Sequence, residues 1–171
     1  VARQLAAHMA AAGHEVIWCA SDTDEAPAML GVSSDPMASF NGIERATGFP
    51  YPLWTPRSLA RLAALVQEAD AVHVHDCIYL GSLAASWLAR RHGKRLAVTQ
   101  HIGPKPLPMP LRPVLGLAYR VGARRVLRRA DGVAFISVAG QRYFETLTGP
   151  QPHYRHVANG VDLSVFHPGQ G

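Results

Sequence analysis

Histidine and aspartate side chains that could take part in catalysis follow two apolar runs of the chain. His75 and Asp76 end the run that begins at residue 71, and His101 and Gly103 follow the run at residues 96–100. Ligands of an open parallel sheet bind beyond the carboxyl ends of its strands, so both groups stand where such a sheet would place a site. A neutral imidazole both donates and accepts hydrogen bonds, which suits His101 to orienting a hydroxyl-bearing ligand.

The same residues allow other interpretations. His73 and His75 alternate along one strand and share a face, so with Asp76 and His101 they could ligate a metal ion. The longer His-rich spacing of a metallohydrolase and a further well-placed carboxylate are both absent, and we therefore expect no metal. His73 is interpreted as a hydrogen-bonded strand residue, and for His75 and His101 a plain polar strand end remains the alternative.

Several common nucleotide and hydrolase motifs are absent from the sequence. No GxGxxG follows a predicted strand, and no GxxxxGK[ST] occurs, so the sequence supports neither a dinucleotide site nor a P-loop. No GxSxG occurs either, which argues against a hydrolase with a nucleophile elbow.

Strands and helices alternate along the chain, which predicts βαβ units, a parallel sheet and an α/β fold. Thr55 and Pro56 are typical of a helix start, and Ser137 is a second predicted cap. Residues 21–54 are rich in Asp, Ser, Pro and Gly and predict at most a short strand near residues 42–45. The other predicted strands are 16–19 (a buried one), 71–75, 96–100, 133–136 and one ending at 156–158, and the predicted helices are 3–12, 57–68, 80–91, 111–129 and 138–147.

Composition and charge limit the class of protein. The 171 residues suit one domain, and 48% apolar with 17% charged residues is a globular composition. The net charge is +5, and six arginines lie between Arg112 and Arg129. Such a patch favours phosphates, although charge alone does not choose among nucleic acid, lipid headgroups and nucleotides. The two cysteines, Cys19 and Cys77, are interpreted as buried thiols of a cytoplasmic protein.

The predicted helix at residues 111–129 has two different faces. Leu115, Tyr119, Val126 and Leu127 form the apolar face that should pack on the sheet. The other side carries Arg120, Arg124, Arg125 and Arg128 with Leu117 and Val121 among them, a mixture that suits an anionic lipid interface. We therefore predict a peripheral contact at the inner face of a membrane, with an ordinary solvated basic face as the alternative.

Four segments resemble the family 4 glycosyltransferases, in the same order along the chain. LAAHMAAAGHEVIWCA is similar to their first helix and second strand, and ADAVHVHD with LARRHGKRLAVTQHIG to their strand, helix and Thr-x-His middle. RADGVAFISVAGQRYF resembles their next strand, serine cap and helix. VANGVDLSVFHP, the most specific segment, resembles the stretch that leads into their second domain.

The resemblance implies a GT-B enzyme built from two Rossmann-like domains. It implies that residues 1–158 form an incomplete N-terminal acceptor-side domain without its first strand, and that residues 159–171 begin the interdomain linker. A C-terminal domain would bind the nucleotide sugar, and a hexosyl group would pass to a glycan, lipid or small-molecule acceptor with retention of configuration. Neither a metal nor a nucleic-acid partner is expected.

The resemblance also implies roles for individual residues. His101 lies on the Thr-x-His position, which makes it the expected catalytic residue and the only donor contact in the chain. His75, Asp76 and Gly103 are the expected acceptor-binding residues. The alternatives are a GT-B epimerase or phosphorylase and a non-catalytic Rossmann-like binding module. By itself the chain is expected to unfold with poor cooperativity and to show no transferase activity.

Overall fold

The first half of the chain forms three helices and four short strands. A computed structural model describes residues 2–23, 28–101, 103, 113, 116–117 and 119–160. The elements of this half, in chain order, are α1 (Ala2–Ala11), β1 (Val16–Ser21), β2 (Val32–Met37), β3 (Ser39–Phe40), α2 (Gly42–Thr47), β4 (Leu53–Trp54) and α3 (Pro56–Glu68).

The second half alternates strictly between strands and helices. Its elements are β5 (Ala71–His75), α4 (Leu80–Arg91), β6 (Arg95–Gln100), a π-helical turn (Tyr119–Ala123), α5 (Arg124–Arg129), β7 (Gly132–Phe135), α6 (Val138–Thr148) and β8 (Tyr154–His156). The predicted 111–129 helix is therefore described only in part, and Leu115 lies outside the described residues.

Parallel pairing dominates the sheets. The largest sheet has the strand order β5-β6-β7-β8, and all its neighbours are parallel. A second parallel pair joins β1 to β2, and β3 with β4 forms a small antiparallel pair. The predicted α/β class with a Rossmann-like parallel sheet flanked by helices is confirmed. Among the described strands, β1 and β5 belong to separate sheets and are not paired with each other. The additional first strand that the family resemblance implies stays a prediction.

Helix ends follow the chemistry of the local sequence. The Thr55 hydroxyl accepts a 3.2 Å hydrogen bond from Ser58 N and caps α3, with Pro56 at the first helical position. The Ser137 hydroxyl caps α6 in the same way, accepting from Gly140 N at 3.0 Å. Both capping predictions are therefore confirmed.

The core lies against one face of the four-stranded sheet. Phe135 on β7 and Phe144 on α6 are fully buried, with ring centroids 5.9 Å apart, and Tyr154 packs edge-on against Phe135 at 5.1 Å. Leu127 on α5 is also fully buried in this cluster. Helices α4, α5 and α6 thus share one apolar layer beneath the sheet.

The segment between β1 and α3 departs from the predictions. Gly42–Thr47 is a short helix rather than a strand, and Gly48 ends it at φ +70°. Six residues are too few for a helical apolar period to show in the sequence. β2 was not predicted because its only large apolar residues are at its two ends and it contains Pro36, which an edge strand tolerates.

β1 is less buried than its apolar sequence predicts. Its side chains are mostly half-buried, and Ile17 is 44% exposed. The prediction of a buried strand is therefore wrong for the described structure, since only one neighbouring strand, β2, pairs with β1 there.

Two glycines allow close contacts of α4. A Cβ at Gly81 would lie 2.6 Å from the Trp54 ring, and a Cβ at Gly122 in the π-helical turn would lie 2.9 Å from Leu83. These contacts hold α4 close to β4 on one side and to the arginine-rich helix on the other. None of the helices in the described part of the chain has the length and apolarity to cross a membrane.

Replacing Phe144 by alanine should destabilise the fold strongly. We expect a loss of about 3–5 kcal/mol in the free energy of unfolding, because truncation of a fully buried phenylalanine leaves a cavity. Urea denaturation followed by circular dichroism measures this change. Phe40→Ala is the matched control, since Phe40 is 62% exposed and its loss should cost less than about 1 kcal/mol. Equal effects of the two variants would contradict the assigned core.

Candidate functional site

The carboxyl ends of β5 and β6 lie side by side and carry the predicted site residues. Parallel pairing sets His75 opposite Thr99, so the residues that follow each strand enter the same region. His75, Asp76 and His101 are brought together there, as the sequence predicts. Gly103 is half-buried two residues beyond His101, and Ile102 lies outside the described residues.

Asp76 is the most constrained residue of this cluster. It is 7% exposed, and among the described residues it is the one non-glycine with a positive φ, at +61°. Its Oδ1 accepts hydrogen bonds from Gln100 Nε2 at 2.9 Å and from the main-chain N of His101 at 2.8 Å. Its own N–H donates to Thr99 O at 2.9 Å. A left-handed conformation outside glycine costs about 1–3 kcal/mol and is typical of functional sites.

Gln100 joins the two loops through its side chain. Its Oε1 accepts from Cys77 N at 3.0 Å while its Nε2 donates to Asp76, and the residue is 3% exposed. Because a main-chain N–H can only donate, this contact fixes which end of the amide is oxygen. Sequence reasoning assigned no role to Gln100, although its polar type at the buried end of an apolar strand was a usable signal.

His75 and His101 are directly hydrogen-bonded through their rings. His75 Nδ1 and His101 Nε2 are 2.9 Å apart, and the ring centroids lie 5.2 Å apart with planes inclined by 27°. One of these nitrogens must carry the proton and the other must accept it, so at least one ring is neutral across this bond. The pair therefore holds both imidazoles in fixed orientations.

Burial keeps His75 and His73 neutral. Removal from water, reinforced by His73 and His101, lowers the pKa of His75 from 6.5 to about 4. Burial also lowers the pKa of His73, with His101 as a second cause. His73 stacks on His75 at 4.7 Å, and its Nε2 is 2.8 Å from the Thr99 hydroxyl. The interpretation of His73 as a hydrogen-bonded strand residue is confirmed.

Trp18 on β1 adds an aromatic wall to the cluster. Its ring centroid lies 6.4 Å from that of His75. The indole Nε1 is buried and has no hydrogen-bond partner among the described residues. A buried indole N–H usually finds a partner, so a donor that the described residues leave unpaired is an unusual feature of the cluster. Sequence reasoning missed Trp18, because nothing in a short apolar run shows which strand it will face.

The arrangement suits hydrogen bonding to hydroxyl groups better than metal ligation. The hydrogen-bonded imidazoles of His75 and His101 present donor and acceptor nitrogens beside a buried carboxylate. Within the described ranges, no three His, Cys, Asp or Glu side chains are arranged to hold a metal ion. Cys19 and Cys77 are unpaired thiols, and burial raises the pKa of Cys19 to about 11 and that of Cys77 still further.

Comparison with known proteins agrees with this geometry. The family model described as Glycosyltransferase Family 4 matches residues 1–165. A search of the curated proteins found no match to the chain. The family match spans nearly the whole sequence and includes both loops of the cluster, so the chain belongs to Glycosyltransferase Family 4.

Proposed function

We propose that this chain is the acceptor-side half of a retaining glycosyltransferase that transfers a hexosyl group from a nucleotide sugar to a glycan, lipid or small-molecule acceptor. The observation that carries the proposal is the hydrogen-bonded His75–His101 pair beside Asp76, at the carboxyl end of a parallel sheet in a family 4 domain. Such a cluster is suited to orienting sugar hydroxyls, which are both donors and acceptors.

His101 is the proposed catalytic residue. Asp76 fixes its main-chain N–H, and His75 fixes its ring, so little freedom is left to be lost when a sugar binds. Holding a reacting group in a near-attack geometry is worth several kcal/mol of barrier. In the proposed reaction, the imidazole of His101 orients the transferred sugar through one of its hydroxyl groups.

His75, Asp76 and Gly103 are the proposed acceptor-binding residues. The ring of His75 lies 5.2 Å from that of His101 and 6.4 Å from that of Trp18, and this closeness to the proposed catalytic residue supports a role in acceptor binding. The donor's phosphate groups are proposed to bind outside this cluster, and no metal ion is proposed to take part.

A cytoplasmic location fits the cysteine chemistry. Cys19 and Cys77 are both free, and thiols persist in a reducing compartment. Burial keeps both protonated at neutral pH, so neither is proposed as a nucleophile.

His101→Ala should lower kcat/KM by about 100-fold or more, because the reacting sugar loses an orienting group. Steady-state kinetics of sugar transfer by the full-length enzyme measures the change, and thermal unfolding checks that the variant folds. His14→Ala is the matched control, because His14 is exposed and lies outside the cluster. Wild-type turnover in His101→Ala would remove the proposed role.

His75→Ala should act mainly on the acceptor. We expect the KM for the acceptor to rise about tenfold, since one orienting hydrogen bond is lost, while the KM for the donor stays within a factor of about two. Varying each substrate at saturation of the other separates the two constants. A larger change in the donor KM than in the acceptor KM would contradict the assignment of His75 to acceptor binding.

The folded state should become less stable as the pH is lowered, because His75 resists protonation in the folded protein. The pKa of His75 is about 4 in the folded protein and 6.5 in the unfolded chain. Between these two pH values the unfolded chain therefore binds more protons than the folded protein. The contribution of neutral His75 to the free energy of unfolding is complete above about pH 6.5 and is lost as the pH falls toward 4. We expect the urea midpoint to fall across this window and His75→Gln to fall less steeply. His14→Gln should keep the wild-type slope, and an unchanged slope in His75→Gln would contradict the assignment.

A further inference from the structure

A strongly basic surface lies on the segment formed by the π-helical turn and α5, just before β7. Five arginines on this segment are exposed, and together with Val121 they line a groove of about 560 Å³. The five are Arg120, Arg124, Arg125, Arg128 and Arg129. We call this the arginine surface.

The positive charge of the arginine surface is not neutralised by its neighbours. The sequence has no Asp or Glu between residues 113 and 129. None of the five arginines forms an ion pair with a residue that the structure describes, whereas Arg61 on α3 pairs with Asp35 at 2.8 Å. The arginine surface therefore keeps its positive charge and attracts negatively charged partners.

Exposed aliphatic side chains lie among these arginines. Leu117 is 64% exposed and Val121 is 43% exposed, while Val126 and Leu127 on the opposite side of the helix are buried in the core. One face of the helix thus packs in the core, while the face that carries the arginines also presents exposed apolar side chains. Leu117 and Val121 therefore add apolar side chains to a surface that is otherwise strongly charged.

We propose that the arginine surface docks this domain on an anionic lipid bilayer. Guanidinium groups bind lipid phosphates in a bidentate geometry, and each basic residue near a negative membrane adds to the attraction. Leu117 and Val121 then enter the region between headgroups and acyl chains, as apolar residues of an interfacial helix do. A single-stranded nucleic acid would instead require side chains that stack on bases, which aliphatic groups do not supply.

The row of arginines fits a flat surface rather than a single ion. Arg120, Arg124 and Arg128 recur at four-residue intervals and span about 12 Å along the helix, so they reach more than one headgroup. The groove between them is wide and open to one side of the domain. Docking is independent of the proposed transfer reaction, because no residue of the histidine cluster takes part in it.

Sedimentation with vesicles tests the proposal on the full-length protein. The probes are phosphatidylcholine vesicles with about one-third phosphatidylglycerol and vesicles of phosphatidylcholine alone. We expect binding to the anionic vesicles and little to the neutral ones. Raising the salt from about 0.1 M to 1 M shortens the screening length from about 10 Å to 3 Å and should release most of the bound protein.

Two double variants separate charge from insertion. Arg124→Glu with Arg125→Glu should weaken binding to anionic vesicles by about 30-fold or more. Leu117→Ser with Val121→Ser should weaken it by about tenfold while keeping the preference for anionic lipid. The matched control is Arg45→Glu with Arg57→Glu, which changes the net charge equally at exposed positions on α2 and α3 and should bind like the wild type. Thermal unfolding confirms that each variant folds.

Three results would overturn the proposal. Equal and negligible binding to both vesicle types would show that the arginine surface does not dock on lipid. An equal loss of vesicle binding in the control variant would show that binding depends on the net charge of the protein and not on the arginine surface. Tighter binding of a single-stranded RNA oligomer than of anionic vesicles, lost in the Arg124 and Arg125 variant, would assign the surface to nucleic acid instead.

Discussion

The carboxylate of Asp76 holds the candidate site together. It accepts hydrogen bonds from the side chain of Gln100 and the main chain of His101, both at the end of the neighbouring strand β6. These bonds compensate for the left-handed backbone of Asp76, which would otherwise cost about 1–3 kcal/mol. Removing the carboxylate would also leave buried donors without partners, each at a cost of about 1–3 kcal/mol. This link between two loops thus fixes the main chain of His101 beside His75.

The register of the sheet explains why the polar residues gather on one face. His73 and His75 on β5 point to the same side as Thr99 on β6, because alternate residues of paired parallel strands share a face. Val74, Val98 and Phe135 point to the other side and are buried in the core. The strands thus carry the histidines on one face and the apolar core on the other, with Gln100 at the end of β6 on the core side. Burial lowers the pKa values of His73 and His75, and repulsion from neighbouring histidines lowers them further.

Sequence patterns predicted the second half of the chain well and the first half poorly. The limits of β5 and α4 could be predicted from the sequence. Apolar residues recur every second position in the strand and about every 3.6 positions in the helix, and Gly or Asp residues separate the two patterns. Between β1 and α3 the strands are short and polar, and their pairing depends on neighbours that are distant in sequence. The site residues near strand ends were predictable for the same reason as the strands. Trp18 was not predictable, since only the fold brings it to the histidines, whereas Gln100 offered one signal, its polar type at the buried end of an apolar strand.

The π-helical turn at Tyr119–Ala123 determines which side chains the arginine-rich helix exposes. A π-helical turn bonds residue i to i+5, so it rotates each residue by less than the roughly 100° of an α-helix. On an unbroken α-helix Arg120 would lie near the buried Leu127, whereas the wider turn moves it toward Arg124 and Arg128. Gly122 lies within this turn against Leu83, and a larger residue there would require the Leu83 side chain to shift. The same turn therefore brings its glycine close to α4 and directs Arg120 toward the other arginines.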